Sequence, residues 1–225
     1  MKIESRTLNS SSSLIDATAG LLKDSFSREN KDGPYGIILP GGTTPLAVYT
    51  HIADNPPIIS PGLHLLLSDE RHVPVDSPGS NLANLLPMIR AIQLPDQKLL
   101  AVQTEYSLEE AARRYDQRIR NFLAEGGQLP LALLGLGEDG HTASLFSPED
   151  VERSHGKHAL AVERPLPPHR ISVSADVLAM CQRVIFLVSG PAKQDIHDQL
   201  VRDPSTVTAG IAVRSCPEVE IWFSP

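Results

Sequence analysis

Four short runs, Tyr35 to Leu39, Leu63 to Leu67, Leu131 to Leu134 and Val184 to Val188, are apolar at nearly every position, and longer amphipathic stretches lie between them. A strand with one face in water alternates apolar and polar residues, so runs without that alternation read as strands covered on both faces. Strands of this kind alternating with helices predict a doubly wound α/β fold, a mostly parallel sheet with helices on both faces. Among the helical stretches, Ser107 to Glu110 reads as a capping-box start, and Leu108, Ala111, Ala112, Tyr115, Ile119 and Phe122 recur after it at helical spacing. Ser10 to Ser13 likewise precedes a helical pattern that it can cap. A chain of 225 residues, 41% of them hydrophobic, suffices for one sizeable core and is too short for two large ones, so residues 1–225 are expected to form a single domain.

The formal net charge of -7 opposes general affinity for nucleic acid, although a few local cations can still hold one small anion. No apolar run approaches the roughly 20 residues needed to cross a bilayer, and the segment MKIESRTLNSSSSL lacks the apolar stretch of a secretory signal. The expectation is a cytoplasmic protein with no membrane partner, monomeric or a small homo-oligomer. Cys181 and Cys216 form no CxxC pair and no metal-ligand cluster, which suits buried thiols in a reducing compartment. His155 and His158 stand three apart, but no further ligand signature accompanies them.

The segments that succeed the apolar runs carry the chemistry. Tyr35 to Leu39 leads into Pro40-Gly41-Gly42-Thr43-Thr44-Pro45, Leu63 to Leu67 into Ser68-Asp69-Glu70-Arg71, Leu131 to Leu134 into Gly135 through His141, and Val184 to Val188 into Ser189 through Lys193. All four are carboxyl ends of strands, the edge along which open α/β sheets bind ligands. In the first segment the glycines allow close backbone approach, and Thr44 is expected to cap a helix whose first residue is Pro45, leaving free N–H groups for an anion. It lacks the Gly-Lys-Ser/Thr ending of a Walker A loop and the GxGxxG fingerprint of dinucleotide sites, which argues against NTP and NAD. In the second, Asp69, Glu70, Arg71 and His72 read either as a solvated charged loop or as site residues. In the third, glycines, two acids and His141 are compressed after a strand. Histidine is the side chain best suited to proton transfer near neutral pH, and neighbouring acids can orient it, so His141 is the candidate acid-base group. No GxSxG elbow is present, which disfavours a serine nucleophile.

Taken together, GGTTP, DERHVP with SN five residues further on, LGLGEDGHTASLF, and RISVSADVL with FLVSGPAK resemble the glucosamine-6-phosphate isomerase/6-phosphogluconolactonase family, in order from about residue 35 to residue 193. The resemblance implies the α/β fold and hydrolysis of a sugar-phosphate lactone without metal or redox cofactor; a lactone is an activated ester, so direct water attack is enough for it. Carried over by position, it implies Gly41, Gly42, Thr43 and Thr44 as the phosphate-side loop, Asp69 and Arg71 in the second segment, and Asp139, Gly140 and His141 in the third. Arg170 and Lys193 match cationic positions near the phosphate, and either Asp69 or Asp139 orients His141. Pro40 and Ser147 depart from the family's usual residues, the first touching a loop contact and the second a helix boundary. A deaminase typically continues the DGH segment with a pattern like IAFNEP, whereas this chain places Phe146 where the Glu would stand, which favours lactonase chemistry. A non-catalytic sugar-phosphate sensor is the alternative from another class, and retention of His141 beside Asp139 speaks against it.

Overall fold

The computed structural model describes residues 2–28 and 33–225. Its first half runs β1 (Glu4–Thr7), α1 (Ser11–Ser27), β2 (Tyr35–Leu39), α2 (Thr43–Asp54), β3 (Leu63–Leu67), β4 (Asp69–Arg71), α3 (Asn81–Ala91), β5 (Leu99–Leu100) and α4 (Leu108–Ala124). The second half runs β6 (Gln128–Gly135), α5 (Pro148–Ser154), β7 (Ala159–Val162), β8 (Arg170–Val173), α6 (Ala175–Ala179), β9 (Arg183–Ser189), α7 (Gln194–Arg202), α8 (Thr208–Ala212) and β10 (Glu218–Ser224).

Seven strands form one sheet in the order β1-β10-β9-β6-β2-β3-β5, and every neighbouring pair in it is parallel. The four apolar runs are its central strands, and alternate residues within each go to opposite faces. Ile37, Leu39, Leu131, Leu133, Ile185 and Leu187 pack with Leu22 of α1, Val48 and Ile52 of α2, and Leu85 and Met88 of α3. Ile38, Ala132, Leu134, Val184 and Phe186 pack on the other face with Tyr115, Ile119 and Phe122 of α4 and with Leu178, Ile196 and Leu200 of α6 and α7. Burial on both faces is why these strands carry no polar alternation. Each fully buried Leu, Ile or Phe contributes about 1.5–3 kcal/mol. Among the described residues, no helix is long and apolar enough to cross a membrane.

The sheet's order reverses between β2 and β6: the chain leaves β2 for β3 on one side and β6 for β9 on the other. A crevice opens at such a switch point, outside the carboxyl ends of the two strands. A second, three-stranded antiparallel sheet of order β4-β8-β7 stands beside it. By sequence, Asp69 to Arg71 resemble a charged loop. They instead form β4, in register with β8, so that Asp69 opposes Ser172 and Arg71 opposes Arg170. Ser68 joins the two sheets: its N–H donates to Leu39 O at 2.9 Å in one, and its carbonyl accepts from Val173 N at 2.9 Å in the other.

Of the three caps expected from the sequence, Ser10 forms and Thr44 and Ser107 do not, and Ser80 supplies a further one. Ser10 and Ser80 accept from the amides of Ser13 and Ala83, as N-caps of α1 and α3. Helix α2 starts at Thr43 with Gly42 as N-cap, φ 110°, a left-handed value open to glycine, so Thr44 is not the cap and Pro45 is not the first residue. Ser107 occupies the N-cap position of α4 without a capping side-chain hydrogen bond.

Candidate active site

The carboxyl ends of β2, β3, β6 and β9 enclose a cleft of about 350 Å³, and β4 and β8 close one side of it. Gly41, Gly42, Asp69, Arg71, His141, Arg170 and Lys193 of the expected site residues all line it. Convergence of segments up to about 150 residues apart is thus a property of the sheet order rather than of any one motif.

His141 sits on the turn after β6. Its Nδ1 lies 2.5 Å from Asp139 Oδ1, and its amide donates to the same oxygen at 3.2 Å. Burial pushes the Asp139 carboxyl up, but the hydrogen bonds from the His141 ring and amide outweigh it and hold the group below the ordinary aspartate range. An ionised carboxylate only accepts, so the proton between them belongs to Nδ1, and Nε2 is the ring nitrogen turned to other partners. The pair needs Gly137: a Cβ there would overlap both the His141 ring and the Asp139 carboxylate. Gly140 does not reach the cleft. It is buried at φ 81°, donates to Gly137 O and accepts from Ala209 N, so its role is to form the turn and dock it on α8.

Asp69 is not the partner of His141. It is 8% exposed, and its two oxygens accept from Ser68 Oγ at 2.8 Å and from Ser144 Oγ at 2.7 Å. Ser144 is brought there by Ala143, whose φ of 48° lies in the left-handed region, uncommon for a residue with a Cβ and sited on the cleft wall. Glu70, pointing the other way and 1% exposed, accepts from the amides of Arg71, Asn81 and Leu82 and from Ser80 Oγ. Burial raises its carboxyl, with these hydrogen bonds opposing. Its carboxylate thereby fastens β4 to the N-terminus of α3, where negative charge is favoured.

The cations gather on the side closed by β4 and β8. Arg71 and Arg170 face each other across the ladder, a like-charge pairing that costs stability in an ordinary sheet. Burial and the Arg71 guanidinium lower the Arg170 pKa, with Asp69 opposing. Arg71 donates to Gly79 O at 2.9 Å, and Arg170 donates to the carbonyls of Pro168 and His169. Neither is paired with a carboxylate among the described residues. Lys193, on a 3-10 turn after β9, donates to Leu136 O at 2.8 Å at the opposite rim. Thr43 and Thr44 are not on the cleft wall; they open α2 directly after Gly41 and Gly42, which are.

Sequence reasoning does not single out Ser68, Asn81, Ser144 or Phe146 as site residues, yet all four line the cleft. Asn81, Ser144 and Phe146 stand inside the SN and TASLF segments, but nothing local says that Ser144 reaches back 75 residues to Asp69. Phe146 packs against the His141 ring with centroids 4.5 Å apart. The two departures find local reasons: Pro40 O accepts from the buried Tyr49 hydroxyl at 2.7 Å, and Ser147 caps α5 through the Asp150 amide.

Residues 9–219 match the family of glucosamine-6-phosphate isomerases and 6-phosphogluconolactonase. The chain is 31% identical over 201 residues to a 6-phosphogluconolactonase of Thermotoga maritima, covering 87% of this chain and 86% of that one. It is 32% identical over 164 residues to a 6-phosphogluconolactonase of Synechocystis, covering 70% and 68%. The crystal structure of a Thermotoga maritima 6-phosphogluconolactonase superposes over 100% of both chains with TM-score 0.83 at 27% identity. A monomeric glucosamine-6-phosphate deaminase superposes with TM-score 0.78 at 17% identity, a likeness of fold alone.

Proposed function

The chain belongs to the glucosamine-6-phosphate isomerase/6-phosphogluconolactonase family, and we propose that it hydrolyses 6-phospho-D-glucono-1,5-lactone to 6-phospho-D-gluconate in the oxidative pentose phosphate pathway. The observation that carries this reading is the Asp139–His141 pair at the switch point, in a cleft lined by two arginines that form no ion pair with a carboxylate among the described residues.

A lactone is an activated ester, so direct attack by water suffices and no covalent intermediate is required. Asp139 holds the Nδ1–H of His141, and Nε2 takes a proton from water as the oxygen adds to the lactone carbonyl. The imidazolium returns that proton to the ring oxygen as the carbon–oxygen bond breaks, leaving the acid. Asp69, pinned by two hydroxyls, serves as a fixed acceptor on the far wall for a substrate hydroxyl. The phosphate dianion is received by the first turn of α2 beyond Gly41 and Gly42, together with Arg170, Arg71 and Lys193. Deaminase chemistry is disfavoured because the position where the deaminase pattern carries its Glu holds Phe146, whose ring packs on His141.

The test is lactone hydrolysis at slightly acidic pH, where the spontaneous background is slower, with wild-type protein and His141→Asn compared. A positioned acid-base group commonly supplies about 10² to 10⁴ in rate, so the variant should lose turnover on that scale while keeping its circular dichroism spectrum. A folded variant with near wild-type turnover would remove His141 from the mechanism, and a wild type inert towards the lactone would leave the sensor reading in its place.

A further inference from the structure

Arg164 lies on the segment between β7 and β8, and its Cζ stands 3.6 Å over the ring of Phe146, the same ring that packs against His141. Its backbone amide donates to His169 Nδ1 at 3.1 Å, and His169 O accepts from His72 N, which anchors the segment to the end of β4. The guanidinium itself makes no ion pair and no hydrogen bond to an oxygen among the described residues, and it is close enough to Arg170 to depress that residue's pKa. Arg164 does not itself line the cleft, but it rests on Phe146, which does, so a cation without a carboxylate partner among the described residues stands one aromatic ring away from the proposed base.

Hydrolysis of a lactone changes the charge of the reacting end. The substrate carbonyl is neutral, and the product carries a carboxylate beside His141. Phosphate affinity serves substrate and product alike, so a cation at the reacting end is what separates them. We infer that Arg164 is the residue that engages the newly formed carboxylate, exchanging its contact with the Phe146 face for paired N–H···O bonds to the acid. Bidentate guanidinium–carboxylate bonds are stronger than a cation–π contact on a partly exposed ring, which gives the exchange its direction. The inference rests on the lactonase reading, since it needs an acid formed at His141.

Equilibrium binding tests it without turnover. Calorimetric titration would use two ligands that share the phosphate and differ at carbon 1: 6-phospho-D-gluconate, with its carboxylate, and D-glucitol 6-phosphate, with a neutral alcohol. Arg164→Gln should weaken the gluconate by about ten-fold, about 1.4 kcal/mol, and leave the glucitol phosphate within about two-fold. Arg164→Met, which keeps the bulk over Phe146 and drops the charge, should behave as Gln does, and Arg164→Lys should recover part of the loss. Equal losses on both ligands, or no loss on either, would overturn the assignment while leaving the lactonase reading standing. A wild-type protein that binds neither ligand would sink that reading, and the role of Arg164 with it.

Discussion

Gly137 shows how much of the site is decided by a missing atom. Its φ is not among the positive values that exclude other residues, so alanine fits its backbone, yet a Cβ would occupy the space taken by the imidazole and carboxylate. Gly137→Ala should therefore fold and still displace His141 from Asp139. Misplacing a catalytic group by about 1 Å can cost about 100-fold, and a loss of that order in kcat with an unchanged unfolding midpoint is the expected result. Unchanged kcat would mean that the pair's geometry is not what the reaction uses. This segment is legible as chemistry from its residues, since glycines, acids and a histidine seldom crowd together for packing alone. Which aspartate serves His141 is not, because that depends on the turn that Gly140 makes at φ 81°. Arg164 carries no sequence signal at all: a charge in a proline-rich stretch looks like solvated surface until the ring beneath it is known.

Among the elements, the four central strands are readable because burial on both faces leaves them uniformly apolar. Strand β4 of the small sheet is hidden for the opposite reason. In β4 every residue is polar and each is satisfied by a particular partner: Asp69 by two hydroxyls, Glu70 by three amides and a hydroxyl, Arg71 by a carbonyl. Such a strand has no hydrophobic pattern to betray it. Glu70 is the residue on which its attachment to α3 depends, and the isosteric Glu70→Gln would turn one acceptor into a donor facing donors. Leaving buried donors unmatched costs about 1–3 kcal/mol each, so a loss of about 2–4 kcal/mol in chemical denaturation is expected. A variant as stable as wild type would show that water replaces the carboxylate there.

For the whole molecule, a net charge of -7 repels a dianion at long range, and the cations must be concentrated where the ligand docks. Arg71 opposite Arg170, with Lys193 across the cleft, gathers cations there at some expense in folding, which a phosphate held as proposed would offset. Charge-assisted contacts to phosphate are worth roughly 1.5 to 3 kcal/mol each. Arg170→Ala or Lys193→Ala should accordingly lower kcat/KM for the phosphorylated lactone by about ten-fold or more while barely changing hydrolysis of the unphosphorylated analogue. Equal effects on both lactones would place the residue elsewhere in the reaction. The cleft's two walls belong to different sheets, yet one extended stretch runs through both, with Ser68 bonded to Leu39 on one side and Val173 on the other. Opening the jaws would mean tearing that residue from both ladders at once. The two walls are thus tied together through the backbone, and part of the entropic cost of shaping the pocket is met when the chain folds.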